Sequence, residues 1–391
     1  MFYSVQKPES GPNFHYMKRL ILIFCFVVPL AARAETVPGT NPPPNTNGAY
    51  FPLYQKTAPN ITDLALIYQG GDHRPKWTTN YFAPYVTYTN PQTGREQWLF
   101  DGFLFIEFQD GRGHSFEPFP KNEPAQEIHW LNLIERNFSA DGLPALEQTC
   151  RDAALRLGPP LRRRQVVLTL PVPIRGQTNW GEINGRALNF KQSADQIAAC
   201  EWYMDTALAK WRALAPKELD LVGFYWLQED ALGSNSILPA LAKQVHRRGR
   251  QFFWIPYWQP KSAVAIGNWR SYGFDAVWQQ PNYFFNPKTP DTRLQEACDF
   301  ARRSGMGLEL EFDGRVLSQP TIFEPRLAAY LNAFARYNVE ATSSIAWYEG
   351  GGALNNLATS KEPGMRQHYD HIAQFILSRQ RRADEQCKGA H

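Results

Sequence analysis

Asp220-Leu-Val-Gly-Phe-Tyr-Trp-Leu-Gln-Glu229 and Met306-Gly-Leu-Glu309-Leu-Glu311-Phe-Asp313-Gly are two short apolar runs that end in acids. They are the fourth and seventh of eight such runs, at 63–69, 98–108, 165–172, 220–228, 251–258, 274–281, 306–312 and 343–348. Most are almost continuously apolar, as expected for parallel strands covered on both faces. Between several of them the period changes to that of a helix. Ile197, Cys200, Met204, Leu208 and Trp211 precede the fourth run at i, i+3, i+4 spacing, and Leu294, Ala297, Phe300 and Ala301 precede the seventh. Residues 322–337 and 364–379 are amphipathic before and after the eighth. Strand and helix alternating eight times predict an α/β fold, a (β/α)8 TIM-type barrel with insertions after strands 1 and 2. A doubly wound sheet is the alternative, but no Gly-x-Gly-x-x-Gly or Walker loop supports it.

Around this barrel the chain divides simply. Residues 1–34 read as a leader, with Met17-Lys18-Arg19 before an apolar stretch at 20–30 and Ala32-Arg33-Ala34 as the cleavage site. Met17 is the expected start, and Phe24 before Cys25 excludes a lipoprotein signal. The mature protein is expected to begin at Glu35 and to be periplasmic or extracellular, without an integral membrane segment. Residues 35–60, rich in Pro and Asn, read as a loosely packed lead-in, 61–380 as the barrel and 381–391 as a polar tail. Cys150, Cys200, Cys298 and Cys387 remain after the leader; export permits disulfides, and three pairings are open. No metal or organic cofactor is implied, since the cysteines and histidines form no ligand pattern. The net charge of +4 over 391 residues is too mild for a nucleic-acid partner. The run Arg162-Arg163-Arg164 reads as a solvated lead into the third strand.

Side chains alternate along a strand, so Glu309, Glu311 and Asp313 share one face and the leucines the other. If the leucines meet helices, the acids point into the barrel, where unpaired charge is costly. They either pair with arginines such as Arg74, Arg175 or Arg315, or do chemistry. Glu229 closes the fourth strand and either interacts with a helix N-terminus or acts as an acid. Two carboxylates at the C-terminal ends of separate barrel strands suit glycosidic-bond hydrolysis, with Glu229 as general acid/base and Glu311 as nucleophile, Glu309 its substitute. The expected substrate contacts are Arg74, Glu107, Tyr225, Tyr257, Gln279, Gln280, Asn282, Tyr283, Asp313 and Trp347, which mix rings with amides and charges as sugar sites do.

At these residues the chain resembles the DUF4855 family of bacterial secreted proteins. The resemblance rests on Leu221-Val-Gly-Phe-Tyr-Trp with Glu229, Trp254-Ile-Pro-Tyr257, Gly273-Phe-Asp with Gln280-Pro-Asn-Tyr283, and Gly307-Leu-Glu-Leu-Glu-Phe-Asp313. Leu66-Ile-Tyr with Arg74 and Trp98-Leu-Phe-Asp-Gly-Phe-Leu-Phe belong to it as well. It spans roughly residues 60–380 and implies a secreted barrel acting on carbohydrate. More distantly, acids on strands four and seven look like those of retaining TIM-barrel glycosidases, although Gln228 stands where that group usually has Asn. The expected function is a secreted glycoside hydrolase acting on a polysaccharide or oligosaccharide. A non-catalytic carbohydrate-binding barrel is the main alternative. A polysaccharide lyase is a weaker one, because an acidic mouth disfavours a uronate.

Overall fold

The computed structural model describes residues 47–57, 59–230, 236–259 and 262–389. Those described lie in one compact unit, Pro44–His391; the leader and its cleavage site lie outside them. The eight runs form strands β1 (Asp63–Tyr68), β2 (Gly102–Ile106), β3 (Arg164–Leu170), β4 (Leu219–Trp226), β5 (Gln251–Trp254), β6 (Ala276–Gln279), β7 (Gly307–Glu311) and β8 (Ile345–Tyr348). Each pairs in parallel with the next in sequence, and β8 pairs with β1 to close the ring. This is the expected (β/α)8 barrel, with shorter strands than the apolar runs suggested.

Register settles which face is which. Leu308 and Leu310 pair with Ile345 and Trp347, while Glu309 and Glu311 pair with Ala346 and Tyr348. The Trp347 ring packs 5.9 Å from Phe375 on the last helix, so the leucine face is the outer one. β4 carries a register shift between Leu221 and Gly223. A Cβ at Gly223 would sit 2.1 Å from the Gln251 carbonyl oxygen, so only glycine lets β4 and β5 approach this closely.

After β1 come α1 (Thr79–Val86) and a small hairpin of residues 87–89 and 96–98; after β2 come α2 (Glu127–Asn137) and α3 (Leu143–Leu157). The remaining large helices are α4 (Ser193–Leu214), α5 (Leu238–Arg247), α6 (Thr292–Ser304), α7 (Pro320–Arg336), α8 (Ala353–Thr359) and α9 (Pro363–Gly389). Three expectations need correction. The end of the lead-in is docked: the Phe51 N–H donates to Met306 O at 2.9 Å, and its ring meets Trp278 edge-on at 6.0 Å, closing the bottom of the barrel. The tail from 381 continues α9 as far as Gly389, because Ala383 and Cys387 prolong its buried stripe. Cys150, Cys200, Cys298 and Cys387 are all buried free thiols, packed separately in the core.

The arginine run is also not solvated. Arg162 and Arg164 are buried, and only Arg163 reaches water. Arg162 donates to Asp101 at 2.6 Å and to Gln380 at 2.9 Å, while the Arg164 guanidinium lies 4.8 Å from the Trp98 ring centroid. Gln380 and Arg379 of α9 reach in turn to Asp63 at the start of β1, at 2.9 and 2.8 Å. Arg379 also donates to the carbonyls of Thr62, Ser343 and Glu340. Asp63, Asp101, Arg162 and Arg379 at the bottom of the barrel are thus paired, as burial demands, whereas the buried Arg164 Nε has no hydrogen-bond partner among the described residues.

Candidate active site

The C-terminal mouth of the barrel is assembled from strand ends. Tyr68 closes β1, Tyr225 lies one residue from the end of β4, and Tyr348 closes β8. The Tyr68 and Tyr348 rings meet edge-on at 5.7 Å. Burial pushes the Tyr68 phenol well above its usual range, and Tyr348, Glu229 and Glu309 push it further. Tyr225 is raised in the same way, by burial first and then by Glu229, Glu309 and Glu117. Two phenols from different strands therefore lie in the field of both Glu229 and Glu309. Glu229 is half-buried just beyond β4, and Glu309 is buried within β7. The structure brings these two acids to one mouth.

Glu311 has a different setting. Its Oε2 accepts the Tyr283 N–H at 3.0 Å and the Tyr330 hydroxyl of α7, and the side chain is fully buried. It ties the loop after β6 to α7. Asp313 is held by Arg315 at 2.7 Å. Replacing Tyr330 by Phe removes a donor from a buried carboxylate, so we expect a loss of about 1–3 kcal/mol of stability in urea unfolding. Turnover should be unchanged if Glu311 is structural, and a parallel collapse of turnover would return Glu311 to the chemistry.

The remaining expected contacts divide between the mouth and the scaffold. Arg74 grips Glu107 through two bonds of 2.6 and 2.8 Å, and Glu107 also accepts the backbone N–H groups of Gly71 and Phe108. The pair braces the first two loops, and the guanidinium covers Tyr68 at 4.5 Å. Tyr257, after β5, is half-buried; its phenol is raised by burial, then by Asp230 and Glu229. Asn282 occupies a left-handed turn, with φ of 52°. Gln279 donates to the Pro256 carbonyl and Gln280 to that of Ile255, stitching β6 to the segment after β5. Tyr283 turns its phenol to Asp291 and its ring to Arg326, 3.7 Å away, on the side of α7. Trp347 faces outward and donates to Asp63 at 3.0 Å. Gln279, Gln280, Tyr283, Asp313 and Trp347 are therefore scaffold, not mouth.

Three mouth residues escaped the sequence reading: Tyr68, Tyr348 and Glu117. Strand parity would have found Tyr348, because Trp347 shares the face of the outward leucines. Glu117 lies in an insertion without periodicity and gave no signal.

The loop after β8 adds one buried acid. Glu349 accepts the N–H of Gly352 at 2.8 Å and that of Leu354, in the first turn of α8, at 2.8 Å. Burial outweighs these bonds and lifts its carboxyl from 4.5 to about 7. The folded state then holds this proton more tightly than the unfolded chain. Its contribution is complete below pH 4.5 and declines towards pH 7, by up to roughly 3 kcal/mol. Chemical denaturation between pH 4.5 and 7 should show that decline, and a flat profile would mean Glu349 is ionised throughout.

Among the described residues, Asp110, His114 and His129 bring their ligand atoms within 4.8 Å of one another. However, the His129 Nδ1 accepts the Gln126 N–H at 2.9 Å, which places the ring proton on Nε2, and His114 Nδ1 is engaged by Asp110 at 2.7 Å. His129 caps α2 and stacks on His114, which Asp110 holds, so the trio offers a cation few free lone pairs.

The model of a domain of unknown function, DUF4855, matches residues 63–374. The chain belongs to the DUF4855 family. Curated proteins give no match. Among solved structures, the DUF4855 chain is similar to a Bacteroides thetaiotaomicron protein provisionally assigned as an alpha-L-fucosidase, with 14% identity, 89% of this chain and 99% of that one covered, and a TM-score of 0.45. It is also similar to a family 18 chitinase of Crocus vernus (11% identity, 80% and 99% covered, TM-score 0.40). A mutant tryptophan synthase alpha-subunit of Pyrococcus furiosus matches with 8% identity, 81% and 97% covered, and a TM-score of 0.36. Likeness at this level carries no function, and the barrel rests on its own strand pairing.

Proposed function

We propose that this DUF4855 protein is an exported glycoside hydrolase that cleaves a polysaccharide at the C-terminal mouth of the barrel. The observation that carries the reading is that Glu229, just beyond β4, and Glu309, within β7, act on the same two buried phenols, Tyr68 and Tyr225. Hydrolysis of a glycosidic bond needs two carboxylates flanking one reacting centre, and rings beside them suit the apolar faces of sugars. Glu229 serves as acid/base, protonating the leaving oxygen and then taking a proton from water. Glu309 takes the role of nucleophile that alternation alone had offered first to Glu311, because Glu311 is committed to Tyr330 and Tyr283.

The test is to incubate purified mature protein with a broad polysaccharide panel and measure new reducing ends. Cleavage of at least one polymer is expected; binding without cleavage would favour a carbohydrate-binding barrel. N-terminal sequencing of exported protein should begin at Glu35.

A further inference from the structure

The loop after β2 brings a third acid to the mouth. The Phe116 N–H donates to Phe108 O at 2.9 Å, and the Val172 N–H, just beyond β3, donates to Phe116 O at 2.8 Å. The Ser115 hydroxyl donates to Glu117 O at 2.8 Å. These bonds fix the backbone immediately before Glu117 against the segments after β2 and β3, next to β4 and the acids that follow it. The Glu117 side chain is half-buried. After burial, the groups that favour its neutral form are Glu229 and Asp230. From the neighbouring element, the Tyr257 phenol lies in the field of all three. Tyr225 senses Glu117 together with Glu229 and Glu309. Arg74, at the same mouth, is already committed to Glu107.

A separate observation points to a ligand at this level. Thr169 of β3 is fully buried and in register with Tyr225, so it faces the same way, yet its hydroxyl has no hydrogen-bond partner among the described residues. A buried hydroxyl without a partner is uncommon unless something else meets it.

We propose that Glu117 works with Glu229 as the acid/base couple of this site, an inference that rests on the hydrolase reading above. Two neighbouring carboxyls do not both ionise readily, so the couple holds one proton between them. That proton passes to the glycosidic oxygen as the bond between this oxygen and the anomeric carbon breaks, and the leaving sugar departs as an alcohol. As that bond breaks, the Glu309 carboxylate bonds to the anomeric carbon. Water then displaces Glu309 from this carbon, its new C–O bond forming as the glutamate–carbon bond breaks, and returns a proton to the couple. Atoms and charge balance without any co-reactant.

Carbon-13 NMR titration of the side-chain carboxyls in the full mature chain tests the couple without a substrate, with the Glu117 signal assigned by its loss in Glu117→Gln. In wild type this signal should titrate well above the ordinary glutamate range, and in Glu229→Gln it should fall by about one unit or more. An ordinary titration in wild type, or one unmoved in Glu229→Gln, would overturn the couple. On a polymer that the wild type cleaves, Glu117→Gln should lower kcat by about 10²-fold or more and displace the basic limb of the pH–rate profile. Unchanged kcat and profile would remove Glu117 from the chemistry while leaving the hydrolase reading intact. If wild type cleaves nothing in the panel, the hydrolase reading fails, and the catalytic role of the couple fails with it, whatever the titration shows.

Discussion

Glu229→Gln should lower turnover on a polysaccharide substrate by about 10²–10⁴-fold, the range expected for loss of a general acid. Glu309→Gln should lower it at least as far. The amide keeps the shape of the side chain and removes its charge and its exchangeable acid proton, so both variants should stay folded. The two losses should separate on an aryl glycoside with an activated leaving group. Such a substrate needs little protonation, so Glu229→Gln should keep much of its first step, whereas Glu309→Gln should not. Steady-state kinetics on both substrates, with circular dichroism as the folding control, would decide. Wild-type turnover in both variants would show that the pair is wrongly assigned.

Arg379→Ala should cost about 3–5 kcal/mol of folding stability, the penalty for leaving a buried ion without its partner. The Arg379 and Asp63 side chains are both fully buried, 2.8 Å apart at the bottom of the barrel. Burial already pushes the Asp63 carboxyl up, and Arg379 is the chief group opposing that. The variant also strips donors from the carbonyls of Thr62, Ser343 and Glu340. Urea unfolding should show the loss. Adding Asp63→Asn should recover part of it, because the orphaned charge is then gone. No recovery would mean that the lost carbonyl bonds, not the ion pair, dominate.

Much of the barrel was legible because its strands are buried on both faces, so each appears as an apolar run whatever its neighbours do. The site was legible only where local pattern fixes direction. Alternation correctly turns Glu309 inward, and Arg315 holds Asp313 from two residues away. Alternation also places Glu311 inward, but its partner Tyr330 is 19 residues on and belongs to a different layer. Gln279 and Gln280, at the end of β6, resemble sugar ligands in composition, yet they donate to the backbone carbonyls of Pro256 and Ile255 beyond β5. Glu117 is carried to the mouth by the backbone bonds of its neighbour Phe116 to Phe108 and Val172, contacts that no spacing rule encodes.

The pairing of Asp63 with Arg379 spans 316 positions of the chain. The first strand thus receives its counter-charge from the last helix, and the bonds that close the ring join β1 to β8. A chain in which α9 is not yet in place would hold Asp63 without this counter-charge at the seam, so a closed ring is disfavoured until α9 docks. Late closure of this kind has a slow, non-local entropic barrier. The order of assembly is therefore set at the bottom of the molecule, far from the acids at its mouth, and the ring stays open until α9 packs against β1.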